Sequence, residues 1–198
     1  MPGKTLRSKT AIRRLHEQYA AQYGREMTIA FLLQDWDDPY NVGGMFRVAD
    51  AVGAKELIMT GHTPLPPHPQ IHVTSMGHHR RIPFRYFEHH EEAIARLKME
   101  GYHLVAIEIA EDAQHYKDYP YPEKVCFVVG NEVNGVYNKV LAMCDGAVFI
   151  PMAGKGKSLN VVVAAAVVAF EAWQQPEHEE GSTSSLPPVE TTPVPFEQ

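Results

Sequence analysis

Five short apolar runs, each followed by a polar stretch, constrain this chain more than any other feature. Thr28–Leu33, Glu56–Met59, His103–Ile107, Lys124–Val129 and Ala147–Ile150 read as buried strands. Val42–Val52, Glu91–Glu100, Val136–Met143 and Ser158–Trp173 lie between and after them and read as helices. That alternation predicts an α/β domain with a mostly parallel sheet and helices on both faces. Residues 61–70 (GHTPLPPHPQ) read as a Pro-rich surface loop.

The domain is expected to span residues 26–175, between two extensions of opposite charge. Residues 1–25 carry a weak helical pattern and six basic residues (Lys4, Arg7, Lys9, Arg13, Arg14, Arg25) against Glu17 alone. Residues 176–198 hold Glu177, Glu179, Glu180, Glu190 and Glu197 among Pro, Ser and Thr, with no Lys or Arg. Such a tail buries too little apolar surface to offset its ordering entropy, and disorder is expected. The net charge of −6 therefore hides local positive patches, including His78-His79-Arg80-Arg81 in mid-chain. Local patches are what a phosphate feels. Cys126 and Cys144 sit in apolar surroundings without metal-ligand spacing, and the eleven histidines show none either. The longest apolar run, Val161–Phe170, falls well short of the ~18 residues of a membrane span. A soluble cytoplasmic protein with no metal and no membrane partner is the expectation.

Polar residues at the carboxyl ends of parallel strands are candidates for ligand contact. Three such stretches stand out. In Asp35–Arg47, Asn41 reads as a helix N-cap, and Gly43 and Gly44 call for close approach of another backbone or a ligand. In Val128–Gly135 an apolar strand ends at Gly130, leaving Asn131 and Glu132 at the sheet's edge. In Ile150–Asn160 a Gly/Lys loop places Ser158 at the start of a small-residue helix, as in an anion site. Gly156-Lys157-Ser158 nearly completes a P-loop, but Pro151 stands where its first glycine belongs. No G-x-G-x-x-G follows the first strand, which disfavours a dinucleotide-dependent oxidoreductase.

NVGGMFRxADAxGA (41–54), VVGNExxG (128–135) and IPMxGxxxSLNV (150–161), in that order, resemble the three motifs of the SpoU/TrmH family of RNA ribose 2′-O-methyltransferases, within the SPOUT superfamily. Thr74-Ser75-Met76-Gly77 is similar to a minor motif of that family. The resemblance covers about residues 28–173. It implies a C-terminal trefoil knot, a homodimer, S-adenosylmethionine as methyl donor, and RNA as substrate, tRNA favoured over rRNA. Carried over by motif, Gly130, Ile150, Leu159 and Met152 would bind the cofactor. Asn41, Arg47, Glu132, Ser158 and Asn160 would form the catalytic, RNA-facing cluster.

The chemistry qualifies one of these roles. A guanidinium keeps its proton below about pH 12, so Arg47 suits phosphate holding and charge stabilisation better than general-base work. Glu132 is then expected to orient Arg47 or to receive the proton. A catalytically inactive RNA-binding relative is the alternative within the family, and a P-loop-like nucleotide-binding protein the alternative outside it.

Overall fold

A computed structural model describes residues 5–176; the expected disorder of the acidic tail concerns residues that lie almost wholly outside these. Seven strands form one sheet in the order β3-β2-β1-β6-β4-β7-β5, and every pairing is parallel. The strands are β1 (Thr28–Gln34), β2 (Glu56–Thr60), β3 (Phe84–Phe87), β4 (His103–Ile107), β5 (Gln114–His115), β6 (Lys124–Val129) and β7 (Gly146–Phe149). The helices are α1 (Lys9–Tyr23), α2 (Pro39–Ala51), α3 (Pro69–Ser75), α4 (His90–Met99), α5 (Asn138–Leu141) and α6 (Val161–Gln174), with a single 3-10 turn at His78–Arg80.

The central strands are apolar on both sides because both sides are covered. Phe31 and Leu33 of β1 join Met45 and Phe46 of α2, Ile71 of α3 and Val168 of α6 on one face. The alternate residues Ala30 and Leu32 join Ile94 and Leu97 of α4 and Val140 of α5 on the other. The period of two thus distributes one strand between two cores.

Two of the strands, β3 and β5, are absent from the sequence reading. β3 (FRYF) is not a continuous apolar run: Arg85 interrupts it, and its guanidinium pairs with Glu56 at 2.7 Å and Glu100 at 2.8 Å. The Pro-rich loop also ends earlier than expected, since Pro69 opens α3 with His68 as its cap. The helix expected over 136–143 is confined to Asn138–Leu141.

α1 stands apart from both cores. None of its residues is buried, and Leu6, Leu15, Tyr19 and Tyr23 are all exposed. Its attachment is at its end, where Gly24 lies against the Trp173 ring and the Arg25 amide donates to the Trp173 carbonyl at 3.0 Å.

Candidate active site

β1, β4, β6 and β7 point their carboxyl ends the same way, so the loops that follow them share one edge of the sheet. β6 lies between β1 and β4, where the strand order departs from chain order, and such switch points open a crevice. All three motif loops meet there.

Their polar residues form a chain of amides. The Glu132 carboxylate accepts from the backbone amides of Asp37 (2.9 Å) and Asp38 (3.2 Å), and from the Asn41 side chain at 2.9 Å. The Asn160 side-chain amide donates in turn to Asn41 Oδ1 at 3.0 Å. Asn160 Oδ1 then accepts from the Val162 amide at 2.9 Å and the Val163 amide at 3.4 Å, which caps α6. One relay therefore joins the three motifs through Glu132, Asn41 and Asn160.

This relay corrects three expectations. Asn41 is not the cap of α2: Asp38 is, accepting from the Tyr40 amide at 2.8 Å, with Pro39 opening the helix. Ser158 does not start α6, because Asn160 caps it and the helix begins at Val161. Ser158 lies in the exposed loop before it, so a P-loop geometry, with Lys-Ser opening the helix, is not formed. Finally, Glu132 holds Asn41 rather than Arg47.

Arg47 stands elsewhere on α2. Six residues carry a helix ~9 Å along its axis and leave it turned by ~120°, so Arg47 and Asn41 look in different directions. Arg47 is exposed, and its side chain makes no hydrogen bond or ion pair among the described residues. The glycines between them serve packing: a Cβ at Gly43 would overlap Thr74 and the Ile71 carbonyl of α3, and one at Gly44 would meet Val162 of α6 at 3.4 Å. Close approach is therefore required at Gly43, by α3, whereas at Gly44 a Cβ would make only ordinary van der Waals contact with α6.

All four cofactor candidates line one cleft of about 140 Å³, together with Ile107, Glu108, Val129 and Ser158. Its walls are apolar, and Leu159 is 38% exposed at its edge. Apolar side chains around an open crevice, with strand-end backbone and the Glu108 and Glu132 carboxylates nearby, fit a flat heteroaromatic base carrying polar substituents. The adenine of S-adenosylmethionine, with its ribose and amino-acid arms, is such a group. Gly130 has a second reason to be glycine, since a Cβ there would overlap the backbone of Gly135 and Val136 in its own loop.

Several residues that shape the site were given no role in the sequence reading, although Asn131 and Asp35 lie in the stretches it singled out. Buried Asn131 ties the motif loops together, donating to the Asp37 carboxylate at 2.9 Å and accepting from the amides of Val133 (2.9 Å) and Asn134 (3.0 Å). The Asn131 bond, helped by His62, holds the Asp37 carboxyl below its usual range. Glu108 accepts from the Val136 amide at 2.7 Å and so braces the same loop from β4. Asp35, with a left-handed backbone (φ 50°), holds His62 at 2.9 Å and His90 at 3.0 Å. An acidic residue directly after an apolar strand was the available signal for Asp35 and Glu108.

Residues 28–170 match the family model described as the SpoU rRNA Methylase family. The chain belongs to the SpoU methylase family. Among SpoU relatives, it is 34% identical over 170 residues to the tRNA (guanosine(18)-2′-O)-methyltransferase of Thermus thermophilus, covering 86% of each protein. It is 29% identical over 153 residues to the Escherichia coli enzyme of the same name, covering 76% of this chain and 65% of that one. The solved structure of the SpoU methyltransferase AviRb from Streptomyces viridochromogenes, in complex with the cofactor AdoMet, superposes with a TM-score of 0.70. That pair is 29% identical and covers 76% of this chain and 58% of AviRb. The parallel α/β architecture here is thus the SpoU architecture.

Proposed function

We propose that this chain methylates a ribose 2′-hydroxyl of tRNA, with S-adenosylmethionine as donor. The observation that carries the reading is that the second and third motif loops line one cleft, with Gly130, Ile150, Met152 and Leu159 in its walls, while Asn41 of the first motif joins them through Glu132 and Asn160 in an adjoining groove. The guanosine-specific tRNA enzymes among the relatives favour tRNA over rRNA as substrate.

When bound, S-adenosylmethionine supplies a methyl group on a sulfonium. The displacement would form a bond from the 2′-oxygen to that methyl as the sulfur–methyl pair returned to sulfur, with the hydroxyl proton passing to solvent. The protein's task is alignment and charge stabilisation in an in-line displacement. Ile150, Met152 and Leu159 would hold the adenine, with the Gly130 loop offering backbone contact. Arg47, unpaired within the described residues, grips the phosphodiester beside the target ribose and stabilises charge developing on the 2′-oxygen. Glu132 and Asn160 act through Asn41, holding the mouth of the cleft in shape, and Ser158 offers its exposed hydroxyl to the ribose.

The finer architecture follows the family. The segment from β7 to α6 closes the cleft as a trefoil knot, a reading that rests on membership of the family. The enzyme works as a cytoplasmic homodimer through α6, whose apolar Val163 and Phe170 are exposed in the single chain; monomeric sedimentation at micromolar concentration would count against this. Residues 1–25 serve as an RNA-docking extension of the 26–175 domain.

Labelled-methyl transfer to tRNA, followed by nuclease digestion, tests the function. A labelled 2′-O-methylnucleoside is expected. Label on a base, or transfer to rRNA and not to tRNA, would overturn it.

A further inference from the structure

The basic run His78-His79-Arg80-Arg81 is not a loosely solvated segment. Met76 and Gly77 both adopt left-handed conformations (φ 50° and 88°), which reverses the chain at the end of α3 and lays the 3-10 turn against α2. His79 anchors it: its Nδ1 lies 2.6 Å from Ser75 Oγ and its ring packs edge-on against Phe46. Burial, with His72 and Arg80 nearby, lowers the pKa of His79, which suits a neutral anchor. Ile82 secures the other end by burial.

What the anchored turn presents is positive charge beside Arg47. Asp50 lies three residues after Arg47 on α2, hence about one turn along the same side of the helix. Its carboxylate receives His78 at 3.0 Å and Arg81 at 3.5 Å. Arg80 is exposed and its guanidinium has no hydrogen-bond or ion-pair partner among the described residues, and the Arg81 side chain is 60% exposed. Of the three arginines on α2 and the turn, only Arg81 meets the Asp50 carboxylate, so positive charge is in surplus, carried by the residue type best shaped to fork onto phosphate oxygens.

We propose that Arg80 and Arg81 form, with Arg47, an extended phosphate-binding surface that takes the RNA backbone next to the target nucleotide. The proposal rests on the methyltransferase reading for its partner, because a polyanion already held at Arg47 continues across Asp50 onto the turn. Asp50 acts as a positioning residue, fixing Arg81 and the turn to α2.

The test uses the full chain and tRNA. Binding is measured across a salt series for the wild type and for Arg80→Glu/Arg81→Glu. Each phosphate contact contributes about 0.7–0.9 to the log–log salt slope. The double variant should therefore bind more weakly with a slope shallower by roughly 1.4–1.8, a raised KM for tRNA and unaltered calorimetric affinity for S-adenosylmethionine. Wild-type tRNA affinity and slope in the variant would overturn the proposal. If the double variant loses cofactor affinity, it has misfolded, and Arg80→Glu alone decides, with about half the slope change expected. Absence of methyl transfer by the wild type would strike the enzymatic reading, while the salt comparison still judges this surface.

Discussion

Asn160 donates to Asn41 at 3.0 Å across 119 residues of sequence, while Asn41 donates to Glu132 at 2.9 Å. Asn160 thus has two duties, and two substitutions separate them. Asn160→Ala removes the α6 cap, costing about 0.5–2 kcal/mol, and should lower Tm by about 2–4 °C for each kcal/mol lost. Asn160→Asp keeps the capping oxygen but sets an acceptor opposite Asn41 Oδ1, and Asn41 cannot turn over without releasing Glu132. Its melting temperature should stay near wild type while methyl transfer falls. Equal transfer rates in the Asp variant and the wild type would show that the relay only stabilises.

The cleft needs a probe that leaves the fold intact. Gly130→Val is a poor one, because any side chain at 130 meets the Gly135–Val136 backbone and disrupts the loop itself. Leu159→Ala is better, since Leu159 is 38% exposed at the cleft edge. Burying a leucine against a ligand is worth about 1.5–3 kcal/mol, so calorimetry should show S-adenosylmethionine binding weakened by roughly 10- to 100-fold. Thermal stability should hardly move. Unaltered affinity would remove Leu159 from the cofactor site.

Arg47 should separate chemistry from cofactor binding. Arg47→Ala is expected to bind S-adenosylmethionine as the wild type does, because Arg47 does not line the cleft. Its methyl transfer should fall by about 10²–10³, the usual loss for a charge-stabilising donor. Arg47→Lys should recover little, since an ammonium lacks the planar fork. Retention of most turnover in the alanine variant would end the catalytic role.

How far the sequence speaks depends on whether a feature is local. The runs at Thr28, Glu56, His103 and Lys124 announce their strands because continuous apolar residues have few other uses. β3 does not announce itself, as Arg85 is tolerated only through Glu56 and Glu100, which lie 29 and 15 residues away. Two-residue β5 carries no pattern at all. The cleft residues were legible through motif resemblance, yet their contacts were not. That Glu132 grips Asn41 and the α2 amides, and not Arg47, depends on how three loops converge. The true cap of α2 was legible: Asp38-Pro39 is a cap followed by a first-position proline.

The Arg85 pair offers a pH test of stability. Hydrogen bonding by the Arg85 guanidinium, reinforced by Arg96, lowers the Glu100 pKa from 4.5 to about 2. A folded-state pKa below the unfolded value means stability fully present above about pH 4.5 and lost as the pH falls through about 2. The stability difference between wild type and Glu100→Gln, from urea denaturation, should therefore be constant near neutrality and shrink across that acid window. A difference that persists unchanged at the acid end would show that Glu100 contributes by packing rather than by charge.

The exposed α1 tests whether residues 1–25 dock RNA. Arg13 pairs only with Glu17, at 2.8 Å with both side chains largely exposed, and such a pair holds little energy. The opposing possibility is that Leu6, Leu15 and Tyr19 pack this helix on a neighbour. Among the described residues nothing covers them, since all three are exposed, and a second subunit is the neighbour to test. Arg13→Glu/Arg14→Glu leaves those apolar residues in place and reverses only charge. If α1 docks RNA, the variant should bind tRNA more weakly, with a log–log salt slope shallower by roughly 0.7–0.9 per lost contact. S-adenosylmethionine affinity should be unaffected, because the cleft is lined entirely by residues from Ile107 onward. Deletion of residues 1–25 should reproduce that salt response. If instead the charge reversal leaves tRNA binding unaltered and the deletion shifts sedimentation from dimer to monomer, the helix belongs to the subunit interface and the RNA-docking role is wrong.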